Sequence, residues 1–160
     1  MRLNTLIRRV ERLRDEVSGM MREVCEGGKV QRWVVDAYKG QLREGLNAEG
    51  VLMNGGYYSK VHEKARRSRG LPTDHVYLDF EGDMQRGMKV EYSDSGFSVV
   101  TGDWKQELID EVMRTGYWPA SNGHGPYYGR VFGLTEENMA ELTRVVAPML
   151  AASVRRRLLK

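Results

Sequence analysis

The stretch that decides the fold runs from residue 126 to residue 148 and reads Pro126-Tyr-Tyr-Gly-Arg-Val-Phe-Gly-Leu-Thr-Glu-Glu-Asn-Met-Ala-Glu-Leu-Thr-Arg-Val-Val-Ala-Pro148. Gly129 and Gly133 allow backbone angles that other residues resist, so the chain can turn on both sides of the three residues between them. Thr135 is a favourable N-cap, and the two glutamates after it suit the first turn of a helix. Apolar residues then recur at helical spacing: Met139, Leu142, Val145, Val146, Met149 and Leu150. The stretch predicts a turn anchored by buried Phe132 and followed by a helix.

The residues from Arg130 to Asn138, followed by a long helix and a basic C-terminus, resemble the end of the tail-completion proteins of tailed bacteriophages. This family is also described as virion-morphogenesis or head–tail joining proteins. Its members often carry an arginine bounded by proline or glycine, then a turn of the Phe-Gly-Leu-Thr type and a closing helix. The outline covers residues 41–154. Glu81 departs from it, because the family tends to have a threonine before the glycine at that place.

The resemblance implies a structural virion protein, a tail-completion or neck subunit that joins tail to head. It implies a homo-oligomeric ring of sixfold or related symmetry, built from heterologous contacts that close. The implied partners are tail-tube or terminator proteins and portal or connector proteins. The implied location is the neck or tail of the virion, after assembly in the host cytoplasm. A tail terminator or a connector subunit would fit the same outline.

Composition is typical of one soluble globular domain. The chain has 160 residues, of which 41% are hydrophobic and 29% are charged. We expect a single domain over residues 1–160, with a helical N-terminal arm at 1–46 and an α+β core at 47–160. No apolar run approaches the roughly 20 residues that span a bilayer, so no membrane partner is expected. The single Cys25 excludes an internal disulfide.

Charge is segregated along the chain, although the net charge is only +3. Between residues 74 and 94 the chain is acidic, and basic runs lie on either side. Such segregation suits packaged DNA near the basic runs, charge-complementary neighbours in an assembly, or a solvated face with no partner. The candidates for facing DNA are Lys64, Arg66, Arg67, Arg69, Arg155, Arg156 and Arg157.

Periodicity predicts an α+β fold with a long N-terminal helix and a closing C-terminal helix. Apolar residues spaced by three and four predict a helix at residues 3–26, ended by two glycines, and a second helix to about residue 44. The first stripe is long enough to need a partner, which could be the protein's own sheet or a neighbouring subunit. The final helix is expected at 136–159, with a kink at Pro148.

The middle of the chain predicts a small antiparallel sheet. Alternation of apolar and charged residues at 86–101 predicts a β-hairpin, and Val76–Leu78 reads as a short strand. Asp103 is a candidate N-cap for a helix that Gly116 ends.

Residues 117–128 read as a loop rich in glycine, proline and aromatic residues. Large amphipathic rings on such a loop are typical of interfaces, although they could equally fold back onto their own domain. Together with the turn that follows, the loop supplies the interface candidates, which are Tyr117, Trp118, Tyr127, Tyr128, Arg130 and Phe132.

The motifs of catalysis are missing from the sequence. A His62-Glu63 pair begins like a zinc-protease motif, but Arg66 stands where the second histidine is needed. No phosphate loop, dinucleotide fingerprint or nucleophile elbow occurs. We therefore expect no catalytic residues, no metal site and no cofactor. The alternative from another class is a small basic nucleic-acid-binding protein.

Overall fold

The computed structural model describes residues 3–78, 83–93, 96–101, 105–120 and 123–159. The fold is α+β, with long N-terminal helices, small antiparallel sheets and a closing C-terminal helix, as the sequence predicts. The elements are α1 (Leu3–Cys25), α2 (Gly28–Arg43), a 3-10 turn (Met53–Gly56), α3 (Lys60–Arg67), α4 (Asp83–Arg86), β1 (Lys89–Ser93), β2 (Gly96–Val100), α5 (Lys105–Thr115), β3 (Tyr117–Ala120), β4 (Gly123–Tyr127) and α6 (Glu136–Leu158).

The chain divides into two compact units. The first combines residues 1–33 with 140–160, and the second is residues 34–139. The predicted division at residue 46 does not coincide with this one, because α2 continues through residue 33 into the second unit.

The first unit contains α1, the start of α2 and most of α6. Among its described residues, the buried side chains are Met20, Val30, Leu142 and Val146. α1 ends at Cys25, close to the predicted end, where the amide of Gly27 donates to the carbonyl of Val24 at 3.2 Å. Apolar residues on another side of α1 remain exposed: Ile7, Val10, Val17 and Met21. α6 is helical on both sides of Pro148.

The second unit has its own core, which collects apolar side chains from helices, strands and turns. The apolar core residues that the structure describes are Val34, Tyr38, Leu42, Ala48, Met53, Val76, Met88, Val99, Ile109, Val112, Tyr128, Val131, Phe132 and Leu134. α2 supplies one buried residue at each turn of its inward face, and the turn before α6 supplies four residues of this core.

The predicted hairpin at 86–101 is present. β1 and β2 pair antiparallel, from Lys89 opposite Val100 to Ser93 opposite Gly96. The strands begin later than predicted because residues 83–86 form the short helix α4. The predicted N-cap Asp103 lies outside the described residues.

Two sequence predictions for this unit are wrong. Residues 117–128 are not a loop, since β3 and β4 pair antiparallel with Tyr117 opposite Tyr127. Val76–Leu78 is not a strand either. Val76 is fully buried, but the amide and the carbonyl of Tyr77 both bond to the hydroxyl of Tyr58, so they are not paired with a neighbouring strand.

Candidate interaction surface

The closing turn, residues 128–135, is held so closely that two of its positions require glycine. Gly129 has a φ of +67° and Gly133 a φ of +136°, both in the region that disfavours side chains. A Cβ at Gly129 would lie 2.5 Å from Nδ2 of Asn47, and a Cβ at Gly133 would lie 2.9 Å from Cβ of Ala48. The predicted role of Gly133 is therefore confirmed.

Gln41 connects α2 to this turn through a buried amide. Its Nε2 donates to the carbonyls of Asn47 at 3.2 Å and Gly133 at 3.0 Å. Its Oε1 accepts from the amide of Thr135 at 3.0 Å and from Nδ2 of Asn138 at 3.2 Å. Four hydrogen bonds use the donors and acceptor of one side chain, so its burial leaves no cost of unpaired polar groups.

Asn47 makes a second buried connection. Its Nδ2 donates to the carbonyl of Tyr128 at 3.2 Å, and its Oδ1 accepts from the amides of Glu49 and Val51 at 3.0 Å each. The amide of Ala48 donates to the carbonyl of Arg130 at 2.8 Å. The segment after α2 and the closing turn are thus one hydrogen-bonded structure.

Phe132 is buried, as predicted, with 8% of its surface exposed. Its ring lies 5.2 Å from the ring of Tyr38, whose hydroxyl donates to the carbonyl of Val131 at 2.8 Å. Burial raises the pKa of Tyr38 well above its ordinary value. Thr135 caps α6 by accepting the amide of Asn138 on its hydroxyl at 3.3 Å.

The interface candidates separate into two groups. Phe132 and Tyr128 lie in the core of their own unit, so they do not offer their rings to a neighbour and that part of the prediction is wrong. Burial raises the pKa of Tyr128 to about 12; neighbouring Tyr58 adds a smaller increase, and the positive charge of Arg66 lowers the pKa slightly. Arg130 is more than half exposed and lies 3.3 Å from Oε1 of Glu49, so it remains a candidate.

The hairpin β3–β4 presents aromatic rings on a defined scaffold. The rings of Tyr117 and Tyr127 meet edge to face, 5.1 Å apart, and both are exposed. Gly116 has a φ of +75°, and its carbonyl accepts the amides of Tyr128 and Gly129 at 2.8 and 3.1 Å. The side chain of Trp118 lies outside the described residues.

The basic run on α3 is not a uniform solvated face, because Arg66 is only 1% exposed. Its guanidinium lies over the rings of Tyr58 and Tyr77, at 4.8 and 5.4 Å from their centroids. Its Nε donates to the carbonyl of Pro72 at 2.9 Å. The prediction that Arg66 faces DNA is therefore wrong, since its side chain holds α3 in place instead.

The other basic candidates lie at the surface. Lys64, Arg67 and Arg69 are exposed, and Arg67 pairs with Glu63 one turn earlier. In the first unit Arg155 and Arg156 are exposed. Arg157 bonds to Glu16 at 2.8 Å and to Glu23 at 3.0 Å, and these carboxylates raise its pKa. Arg12, Arg156 and Arg157 also line an open groove of about 580 Å³.

Sequence reasoning missed the two buried amides. The position of Gln41 in the apolar stripe of α2 was a signal that it would be buried, but the chain gives no sign of its partners some ninety residues later. Nothing in the sequence singles out Asn47, whose role depends on a turn made by distant residues.

Comparisons with protein-family models, with curated proteins and with solved structures returned no match. Within the described ranges, no group of three His, Cys, Asp or Glu side chains could hold a metal ion. Each described helix is either too short or too polar to cross a membrane.

Proposed function

We propose that this chain is a structural subunit of a tailed bacteriophage, a tail-completion or neck protein that forms a ring where tail meets head. The observation that carries the proposal is the stretch from Arg130 to Asn138, which resembles the end of that family. In the structure each distinctive residue of the stretch has a physical role. Gly133 makes the turn, Phe132 anchors it, Thr135 caps α6, and Arg130 is displayed at the surface.

The architecture supports a role in assembly. A rigid closing turn carries exposed Arg130, and the neighbouring hairpin carries the exposed rings of Tyr117 and Tyr127. Exposed aromatic and arginine side chains on a preordered scaffold bind at a low entropic cost. Ring neighbours, tail-tube or terminator proteins and portal or connector proteins are the partners we propose, with the subunit located in the virion after assembly in the host cytoplasm. The proposed role is structural, without cofactor or catalysis.

The proposal is tested by disrupting the gene in the phage that encodes it and examining the particles by electron microscopy. We expect DNA-filled heads and separate tails, with joining restored when the wild-type chain is supplied in trans. Joined, infectious particles in the absence of the protein would contradict the proposal. Portal, capsid and tail-tube genes beside this gene are the expected genomic setting.

A hairpin variant tests the proposed surface. Because Tyr117 pairs with Tyr127, residues 118–126 can be replaced by a two-residue Asn-Gly turn that keeps the base of the hairpin. We expect the shortened protein to melt as the wild type does and to fail in head–tail joining. Full infectivity with this variant would show that the hairpin makes no contact needed for head–tail joining.

A second candidate function is non-specific nucleic-acid binding, which the exposed cations Lys64, Arg67, Arg69, Arg155 and Arg156 favour. Phosphate contacts of this kind weaken steeply as salt rises. If this is the function, purified protein should bind duplex DNA at low salt. Its affinity should then fall as salt rises, with a slope set by the number of cations that contact phosphates. Absence of binding at low salt would exclude it.

A further inference from the structure

α1 carries a second apolar stripe, distinct from the side that packs in its own unit. The packed side is marked by Met20, which is buried, and by Glu16, which bonds to Arg157 of α6 at 2.8 Å. At about 100° per residue, the second stripe lies roughly a third of a turn away from that side. Its members are between 39% and 54% exposed: Ile7, Val10, Val17 and Met21. Large apolar side chains that share one line at the surface indicate a contact with another molecule.

The spacing of this stripe is that of a coiled coil. Positions 7, 10, 14, 17, 21 and 24 follow each other by alternate steps of three and four, which is an unbroken repeat of seven. Such a repeat keeps a narrow seam in line with a second helix that winds around the first. A helix that packs on a broad core uses a wider face instead. We call these positions the α1 seam, and they fit a second helix with the same repeat.

The charges beside the α1 seam decide how two copies of the helix would meet. On the flank away from α6, Glu11 lies in the N-terminal half and Arg22 near the C-terminal end, and both are exposed. Two parallel helices in register would place each of these charges, and Arg14 within the seam, beside its own copy. Two antiparallel helices would place Glu11 of each copy beside Arg22 of the other. Charge complementarity therefore favours the antiparallel pair.

We propose that the α1 seam pairs with the α1 seam of a second copy as a two-stranded antiparallel coiled coil. The layers of this pair join Val10 to Met21, Ile7 to Val24 and Arg14 to Val17 of the other copy. The Nε of Arg14 donates to Asp15 at 3.1 Å, so its charge is held at the edge of the seam. A single charged residue in such a seam fixes the register of the helices at a cost in stability. The contact is isologous, so it is separate from the heterologous contacts of the proposed ring and is tested without phage.

The size of the contact predicts reversible association. α1 has 23 residues. It is therefore about 34 Å long, and a strip about 10 Å wide along it covers roughly 340 Å² of each chain. Standard stable interfaces bury about 800 Å² on each partner, so this pair should dissociate on dilution. A lipid surface fits the strip less well, because Glu11 and Asp15 beside the seam would face anionic headgroups.

Sedimentation equilibrium of the full-length protein over a range of concentrations tests the pairing. We expect the wild type to form dimers reversibly. Val10→Asp with Val17→Asp places charge in the seam and should weaken dimerisation by about tenfold or more. Arg14→Leu removes the one charged layer and should strengthen dimerisation by about tenfold. Val51→Asp with Val61→Asp, at exposed apolar positions of the other unit, is the matched control and should leave dimerisation unchanged. Circular dichroism should show that every variant keeps its helices.

Engineered cysteines test the orientation, in a Cys25→Ser background because Cys25 is the single native thiol. Oxidation of a mixture of the Val10→Cys and Met21→Cys proteins should give a cross-linked dimer that contains one copy of each. Neither protein should cross-link to itself, as both would in a parallel pair. A charge swap tests the flank: Glu11→Arg should weaken dimerisation, and the addition of Arg22→Glu should restore it.

Several results would overturn the inference. A wild type that stays monomeric at every concentration would do so, and so would a folded aspartate variant that dimerises as the wild type does. Cross-linking of each cysteine protein to itself, without the mixed product, would overturn the antiparallel order. If the wild type stays monomeric but binds vesicles of phosphatidylcholine and phosphatidylserine, and the aspartate variant does not, the seam is a membrane contact instead.

Discussion

Gln41 and Arg66 are both buried polar side chains of the second unit, but their surroundings differ. Gln41 is neutral, and two of its four hydrogen bonds join α2 to the closing turn, while the other two reach Asn47 and Asn138. Arg66 is charged, and it meets two tyrosine faces and the carbonyls of Pro72 and Tyr77. The neutral amide of Gln41 is satisfied by three backbone groups and one amide side chain, whereas the guanidinium of Arg66 combines carbonyl oxygens with two aromatic faces. The stability of the closing turn should therefore depend on shape and hydrogen bonding. The attachment of α3 should depend on the single side chain of Arg66.

The largest effect should come from the apolar anchor of the closing turn. Phe132→Ala removes a buried ring that packs on Tyr38, and we expect a loss of about 3–5 kcal/mol in unfolding free energy. Urea unfolding measures it. Val61→Ala, at an exposed apolar position, is the control and should change stability by less than about 0.5 kcal/mol. Equal effects of the two substitutions would show that Phe132 is not an anchor.

Arg66→Ala should cost about 3 kcal/mol, because it removes a fully buried side chain and its contacts with Tyr58 and Tyr77. Arg66→Met keeps most of the volume without the charge and should recover part of the loss, since a buried charge is itself costly. Arg66→Lys should not recover it, because an ammonium lacks the planar fork that stacks on rings. A lysine variant as stable as wild type would mean that charge alone holds α3.

The burial of Tyr128, which lies beside Arg66, predicts that the stability of the second unit falls at alkaline pH. The folded pKa of Tyr128, about 12, lies above the ordinary value of 10, because burial disfavours the phenolate. The stability that this shift represents is fully present below pH 10 and is lost as the pH rises towards 12. Two units correspond to about 2–3 kcal/mol. Tyr128→Phe should reduce the alkaline loss measured by urea unfolding between pH 9 and 12, and identical profiles would contradict the burial of the hydroxyl.

Gln41→Leu should cost about 2 kcal/mol, because it leaves the amide of Thr135 and the carbonyl of Gly133 without their partner. Gln41→Glu preserves the acceptor for Thr135 but removes both Nε2 donors, so it separates the two halves of the connection. Thermal melting of the wild type and the two variants measures each loss. A leucine variant as stable as wild type would show that shape alone holds the turn.

The smallest effect on stability should come from Arg130→Ala. Its ion pair with Glu49 is largely exposed, and such pairs contribute little, so the change should be within about 0.5 kcal/mol. The same variant should impair head–tail joining if Arg130 contacts a partner. A melting temperature well below that of wild type would instead assign Arg130 to the support of the closing turn.

The sequence was sufficient for elements whose pattern is local. α1, α6 and the β1–β2 hairpin follow from periodicity, and the closing turn follows from two glycines around Phe132. The β3–β4 hairpin was missed because Pro119, Gly123 and Pro126 all disfavour strands, and its register is irregular. In this hairpin the pairing of the two segments outweighs the low strand propensity of these residues.

Long-range partners explain the other misses. Tyr77 lies in a run that favours a strand, but the hydroxyl of Tyr58 takes both its backbone groups. Arg66 cannot be distinguished by sequence from the exposed basic residues around it, because its burial depends on two tyrosines outside the helix. Asn47 acquires its role from a turn eighty residues later. The candidate site was predictable in its location but not in which side chains face outwards.

Gly116 connects α5, the β3–β4 hairpin and the closing turn. It ends α5, precedes the first strand of the exposed hairpin, and offers one carbonyl oxygen to the amides of Tyr128 and Gly129. A force that a docked neighbour applies to β3 or β4 would act on these two hydrogen bonds. From there the force would pass into α5 on one side and the buried closing turn on the other. A contact made on the hairpin would therefore be felt in the core of its unit through a single carbonyl oxygen.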